Sequence, residues 1–321
     1  MNARQVVLYA PQNKYLGENQ MSTPDTRTAV ITRTKNRPLL LPRAAESVRS
    51  QSISKLVWVV VNDGGDKSDV EDVVKDFCGR SDIPVIVIHN ETSMGMEAAT
   101  NAGVAASDSD YIVIHDDDDS WEPIFLSSCL QFLQQRNSYN GVIALSTTIQ
   151  EKVEGANVTK LDSYPFNSHL KSVDLSHIAI RNQFPPISFL FSRAIYDEIG
   201  GFNEDMPVLG DWDFNLRFLM KADIGLIPEY LANHHIRVSD IESEGEYGNT
   251  VVSGINRHLE YESQYRHARY REDLENGEVG LGHLLMSGKQ FQLLDEKMEQ
   301  LRIAGDGWRK IQKAARKFGI K

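Results

Sequence analysis

Along the first 140 residues a short apolar run is followed by an amphipathic segment, and this order repeats four times. AVITR (29–33) is short and rich in β-branched residues, and Pro38 opens a helical pattern through Ala44, Val48 and Ile53, proline being suited to a first helical turn. KLVWVVV (55–61) is nearly all apolar, as expected of a strand buried on both faces. SDVEDVVKDFC (68–78) places acids in its first turn and apolar residues about 3.6 apart, which predicts a helix. IPVIVIH (83–89) is a third strand, GMEAATNAGVAA (95–106) a helix of small residues, DYIVIH (110–115) a fourth strand, and a helix follows over about 122–136. Residues 1–27 are polar, lack periodicity and read as an extended arm.

Beyond residue 141 the pattern changes. GVIALSTTIQEKVEG (141–155) alternates in its second half like a surface strand with a turn, and 156–186 reads as mixed and loop-rich. ISFLFSR (187–193) is a strand, 194–199 a short helix broken by Gly200-Gly201, and GDWDFNLRFLMKAD (210–223) an amphipathic helix. IGLIPEYLANHHIR (224–237) reads as one or two short strands. Residues 254–275 and 283–318 are helical, interrupted near Gly277–Gly282 and Gly305–Gly307.

Four strands alternating with helices predict an α/β fold with a parallel sheet and right-handed crossovers. In such sheets ligands bind beyond the carboxyl ends of the strands. Thr34-Lys35-Asn36-Arg37 follows the first strand, Asn62-Asp63-Gly64-Gly65 the second, His89-Asn90-Glu91 the third and Asp116-Asp117-Asp118-Asp119 the fourth. Four polar sets on one edge argue for a site there.

Composition narrows the function. The chain has 321 residues, enough for a substantial core, with 41% hydrophobic and 25% charged positions, and reads as globular. No apolar run approaches a membrane span, and the first residues lack the pattern of a secretory signal. Cys78 and Cys129 are the only cysteines and cannot build a disulfide framework, so a reducing, cytoplasmic setting is expected. A net charge of −11 argues against a nucleic-acid partner. Residues 302–321 go the other way, with seven Lys or Arg against one Asp.

The run of four aspartates is the strongest chemical signal. Alone it also suits a solvated turn or a cap before Trp121-Glu122-Pro123. At the edge of a parallel sheet, crowded acids repel one another, and a divalent cation such as Mn²⁺ or Mg²⁺ relieves the repulsion. Asp63 is placed to accept from a base or ribose, although Asp-Gly also suits a plain turn. Asp211, at the start of an amphipathic helix, is either a cap or a functional acid. His234 and His235 are adjacent on a strand, so at most one of them faces a given site. The chain has no GxxxxGK[ST], GxGxxG, GxSxG or HExxH motif, which weakens NTPase, oxidoreductase, serine-hydrolase and zinc-enzyme readings.

Together, Thr34-Lys35-Asn36-Arg37, VVVNDGG (59–65), IVIHDDDDSWEP (112–123) and GGFNEDMPVLGDWDFNLRF (200–218) resemble glycosyltransferase family 2, over roughly residues 28–240. The resemblance implies a GT-A fold, with a Rossmann-like nucleotide-binding half (28–140) and an acceptor-binding half (141–240); residues 241–321 carry no recognised motif, and their helical pattern reads as a C-terminal helical extension. It also implies a nucleotide-sugar donor, expected to be a UDP-sugar, a glycan or lipid-linked acceptor, and a role in bacterial surface polysaccharide synthesis. Asp116 and Asp118 match the DxD motif, flanked by Asp117 and Asp119, and Asp118 is expected to touch Mn²⁺ or Mg²⁺. Thr34, Asn36, Arg37, Asp63, Asn90, Gly95 and Asn101 fall where the family lines the nucleotide. The family often has an arginine where this chain has Thr100. Asp211 matches the general base of a Glu-Asp motif whose Glu is here Gly210, with Asp213 as understudy. His234 or His235 matches a late histidine near the metal or diphosphate. With the base opposite the leaving group, inversion is expected.

Two rival readings are a sugar-1-phosphate nucleotidyltransferase, which would need a glycine-rich basic loop where TRTKNRP has no glycine, and a non-catalytic nucleotide- or glycan-binding module. The C-terminal helices either close over the acceptor or mediate a homodimer, or else the basic segment 309–317 rests on the inner face of an anionic membrane.

Overall fold

The computed structural model describes residues 4–9, 28–237 and 255–317, with the backbone alone for 255–256 and 303–317. The chain divides into two compact units, Met1–His258 and Leu259–Lys321.

The first unit is built on one ten-stranded sheet. Strands β2 (Thr28–Thr34), β3 (Leu56–Asp63), β4 (Val85–Asn90) and β5 (Tyr111–Ile114) run parallel in the order β4-β3-β2-β5. All eight residues of β3 are buried, which explains its unbroken apolar sequence. Helices α1 (Leu41–Arg49), α2 (Lys67–Arg80) and α3 (Met96–Ala105) connect these strands. Val70, Val74 and Phe77 form the buried stripe of α2, and the Phe77 ring lies 4.6 Å from that of Trp58, whose Nε1 donates to Thr32 Oγ1 at 2.9 Å. Helix α3 sits close to the sheet because its buried face is small. A Cβ on Gly103 would stand 2.5 Å from Ile31 Cγ2.

The sheet continues through β9 (Phe189–Ser192), β7 (Tyr139–Glu154), β10 (Asp223–Arg237) and β6 (Ser120–Trp121). Because β9 is antiparallel to both β5 and β7, and β10 is parallel to β7, the end of β10 returns to the carboxyl edge of the parallel half. Helix α4 (Phe125–Gln135) follows β6. Helices α6 (Arg193–Ile199) and α7 (Gly210–Leu219) pack through Phe189, Phe191, Tyr196, Phe202, Phe214 and Phe218, with Phe202 stacked on Phe214 at 4.2 Å. This aromatic cluster fixes the start of α7 against the sheet.

Several expectations are corrected. Helix α1 begins at Leu41, because 38–40 form a turn and Pro42, not Pro38, occupies the first helical turn. Residues 156–186 hold β8 (Asn157–Pro165), paired with β7, and the short helix α5 (Leu175–Ile180). Residues 223–237 are one bulged strand. Within 1–27, Arg4–Tyr9 form β1, an edge strand antiparallel to β4; residues 10–27 lie outside the described residues.

The second unit contains most of α8 (Ile255–Glu275) and all of α9 (Leu281–Lys317). Helix α9 runs unbroken through 305–307, against expectation. The basic side chains of 309–317 lie outside the described residues. Among the described residues no helix is long and apolar enough to cross a membrane.

Candidate active site

At the carboxyl edge the four aspartates are buried or half-buried, and cationic side chains surround them. Arg33, next to last in β2, donates to Asp116 Oδ1 through Nε at 2.9 Å and Nη2 at 2.6 Å, and its Nη1 donates to Thr100 Oγ1 at 3.2 Å. Arg37 Nη1 reaches Asp117 Oδ1 at 3.2 Å and Asp118 Oδ2 at 3.4 Å. Arg237, at the end of β10, pairs with Asp118. His234 Nδ1 lies 3.4 Å from Asp119 Oδ1, which also accepts from the His235 amide at 2.8 Å.

These neighbours set different charges on adjacent acids. Burial alone would raise the Asp118 carboxyl, but Arg237 and Arg37 outweigh it and hold it below the usual range. Burial, reinforced by Asp118, pushes Asp117 up to about 7. Asp119 is raised by burial, with His234 pulling the other way. Guanidinium groups thus offset part of the mutual repulsion of the run, and part of it remains on Asp117 and Asp119.

Asp211 lies in the first turn of α7. Burial raises its carboxyl, and the Trp212 amide and Arg33 work against the rise. Its Oδ1 accepts from Trp212 N at 2.8 Å and its Oδ2 from Asn182 Nδ2 at 2.7 Å. Asn215 Nδ2 in turn donates to Asn182 Oδ1 at 3.0 Å. Leu209, just before the helix, has φ 64°, an uncommon left-handed conformation for a non-glycine residue. Asp213 is taken by Arg217 at 2.6 Å and is not a spare base.

The other expected residues divide. Thr34 lies beside Asp117, whose carboxyl it helps to lower, and belongs to the aspartate cluster. Asn36, at φ 53°, accepts from Asp66 N at 3.2 Å. Asp63 is committed to the loop after β4. Its Oδ1 accepts from Asn90 Nδ2 and Met94 N, both at 2.8 Å, and its Oδ2 from Ser93 Oγ at 2.7 Å and Gly95 N at 3.0 Å. Those four bonds fill a carboxylate's acceptor positions, so a base or ribose would have to displace one. Asn90 and Gly95 act as its partners.

Asn101 does not line this edge. Its Oδ1 accepts from Tyr196 Oη at 2.7 Å and Phe202 N at 2.9 Å, and its Nδ2 donates to Phe202 O at 2.8 Å and Glu204 at 2.9 Å. It clamps the 200–204 turn. Asn101→Ala is expected to cost about 1–3 kcal/mol of stability in a denaturant melt. A variant that melts like the wild type would remove the clamp.

His235 is also withdrawn from the metal position. Its Nδ1 pairs with Glu151 Oε1 at 2.8 Å and its Nε2 with Ser120 Oγ at 2.9 Å. Arg43 bonds the same Glu151 at 2.9 Å and the Asp118 carbonyl at 2.6 Å. Burial opposes the ionisation of Glu151, but the His235 and Arg43 bonds hold its carboxyl low. Strand alternation leaves His234 as the histidine facing the aspartates.

Among the described residues no three His, Cys, Asp or Glu side chains converge as a complete metal cage. What is present is a set of hard oxygens, including an Asp117 Oδ2 buried without a hydrogen-bond partner among the described residues. Such a set suits Mg²⁺ or Mn²⁺ drawing its remaining ligands from phosphate and water.

Sequence reasoning missed Arg33, Arg43, Arg237, Glu97, Asn182 and Glu151. A charge inside the strand TAVITRT and a single acid inside GMEAATNAG were signals available for the first and fourth. Asn182 offered none.

The sequence model described as Glycosyl transferase family 2 matches residues 29–199, more than half of the chain. A Bacillus subtilis protein described as uncharacterized glycosyltransferase YwdF is 28% identical over 204 residues, covering 63% of this chain and 71% of its own. A Mycobacterium tuberculosis PGL/p-HBAD biosynthesis glycosyltransferase is 25% identical over 229 residues, covering 70% of this chain and 80% of its own. Among solved structures, S. aureus TarS 1-349 in complex with UDP aligns with a TM-score of 0.54 at 17% identity over 65% of this chain, which spans 60% of that TarS chain.

Proposed function

The chain belongs to glycosyl transferase family 2 and is a glycosyltransferase with the GT-A fold, and from that premise we propose a cation-assisted transfer of sugar from a nucleoside-diphosphate sugar to an acceptor hydroxyl. The observation that carries this reading is the half-buried carboxyl of Asp211, electrostatically coupled to the Arg33–Asp116 pair at the edge where the aspartates gather. A base and an anion-handling cluster thus share one site.

Asp211 takes the proton from the attacking hydroxyl, and the Asn182–Asn215 chain orients its carboxylate. Asp118 and Asp116 would hold Mn²⁺ or Mg²⁺, which supplies charge neutralisation to the departing diphosphate. Arg37 and Arg33 stand beside those acids as further cations. The acceptor is a hydroxyl of a glycan or lipid-linked acceptor, and a base acting from the face opposite the leaving group would invert the anomeric centre. TarS crystallised with UDP and with UDP-GlcNAc makes UDP-sugars the first donors to test.

A thermal-shift screen of nucleotide sugars with Mn²⁺ is expected to single out one UDP-sugar, since a ligand that binds only the folded state raises apparent stability. Proton NMR of fresh product made from that donor should show the inverted anomer. A retained configuration refutes the role given to Asp211.

A further inference from the structure

Helix α3 carries one acid, Glu97, in its first turn, and it is only 6% exposed. Its side chain lies over the backbone of Gly210, the residue before Asp211. A Cβ on Gly210 would stand 2.6 Å from Glu97 Cδ and closer still to Oε1. The glycine leaves a gap, and the glutamate from another helix fills it. Position 210 is glycine in this chain, and a glutamate carboxylate reaches over it from 97.

Its own backbone amide acts on this acid in the first turn of α3, and side-chain partners are what it is missing. Among the described residues no other side chain donates a hydrogen bond to it or forms an ion pair with it. Buried acids that serve the fold are paired. Burial raises the Glu97 carboxyl, opposed by the attraction of Arg33, and Asp211 and Asp116 add repulsion. Glu97 thus lies over the residue before Asp211 and within the electrostatic reach of Arg33 and Asp116. A sugar passing from diphosphate to acceptor would bring hydroxyl donors that no neighbouring side chain supplies to this carboxylate.

We propose that Glu97, seated over Gly210, binds a hydroxyl of the transferred sugar. This assignment rests on the donor reading above. The test uses the full chain and the UDP-sugar giving the largest thermal shift, with UDP as the sugar-free probe. Glu97→Gln is expected to lower kcat/KM by about tenfold or more, the range for a lost charged hydrogen bond, and to erase the affinity gained by the sugar over UDP. Affinity for UDP itself stays within about twofold. In a second pair of variants the acid is relocated. Glu97→Gly/Gly210→Glu should recover much of the lost turnover, and Glu97→Gly/Gly210→Gln, of equal volume, should not. Equal recovery by both, or wild-type kinetics in a folded Glu97→Gln, overturns the assignment and leaves the donor reading standing. A wild-type chain that binds no nucleotide sugar overturns both.

Discussion

Asp211→Asn is expected to lower turnover by about 10²- to 10⁴-fold, the usual contribution of a general base, while donor affinity stays within about twofold. The substitution preserves shape. The amide oxygen it introduces can still accept from Trp212 N, and only the Asn182 contact must turn or be lost, at about 1 kcal/mol. A small change in melting temperature would therefore accompany a large loss of rate. The pH profile adds an independent check. The base works only when ionised, and burial raises its carboxyl. The acid limb of kcat should accordingly fall at a pH above the ordinary carboxylate value of 3.8, with activity lost as pH drops through the raised value. Near-normal turnover in Asp211→Asn would move the base elsewhere.

The second large effect is expected from Asp118→Asn. Calorimetry with UDP should show wild-type affinity rising with Mn²⁺, and the variant should lose that gain, by at least about tenfold, the lower end of what even outer-shell metal partners contribute. Asparagine is preferable to alanine here. Arg237 is 4% exposed and pairs with Asp118, and deleting a buried partner outright costs about 3–5 kcal/mol. Alanine would thus confound lost metal affinity with lost stability. UDP binding that responds to Mn²⁺ equally in both proteins would remove the cation from Asp118.

The sequence exposes the parts of this site that sit on regular elements. Strand β3 is legible because burial on both faces demands an unbroken apolar run, and the polar sets after four such runs follow from the topology of a parallel sheet. Asp211 is legible as the acid that starts an amphipathic helix. Partnerships across the fold are not. Nothing near Asp63 announces four donors from residues 90–95, and nothing near Asn101 announces Tyr196 and Phe202, because these bonds close only once distant segments pack. The cationic side of the cluster is hidden for the same reason. Part of the positive charge that four neighbouring aspartates call for comes from Arg33, Arg37 and Arg237, brought in from β2, the loop after it and the far end of β10. Strand β8 escapes notice because it is a solvated ribbon with little burial to pattern it.

Strand β1 has a practical bearing on fragments of this protein. It pairs with β4 along Arg4–Asn90 to Tyr9–Val85 and so occupies the rim of the sheet. A fragment trimmed to the family match at 29–199 would leave that rim with bare amide and carbonyl groups, a template on which a second molecule's strand can add. The same cut discards Asp211, so such a fragment would be prone to clump and also catalytically silent.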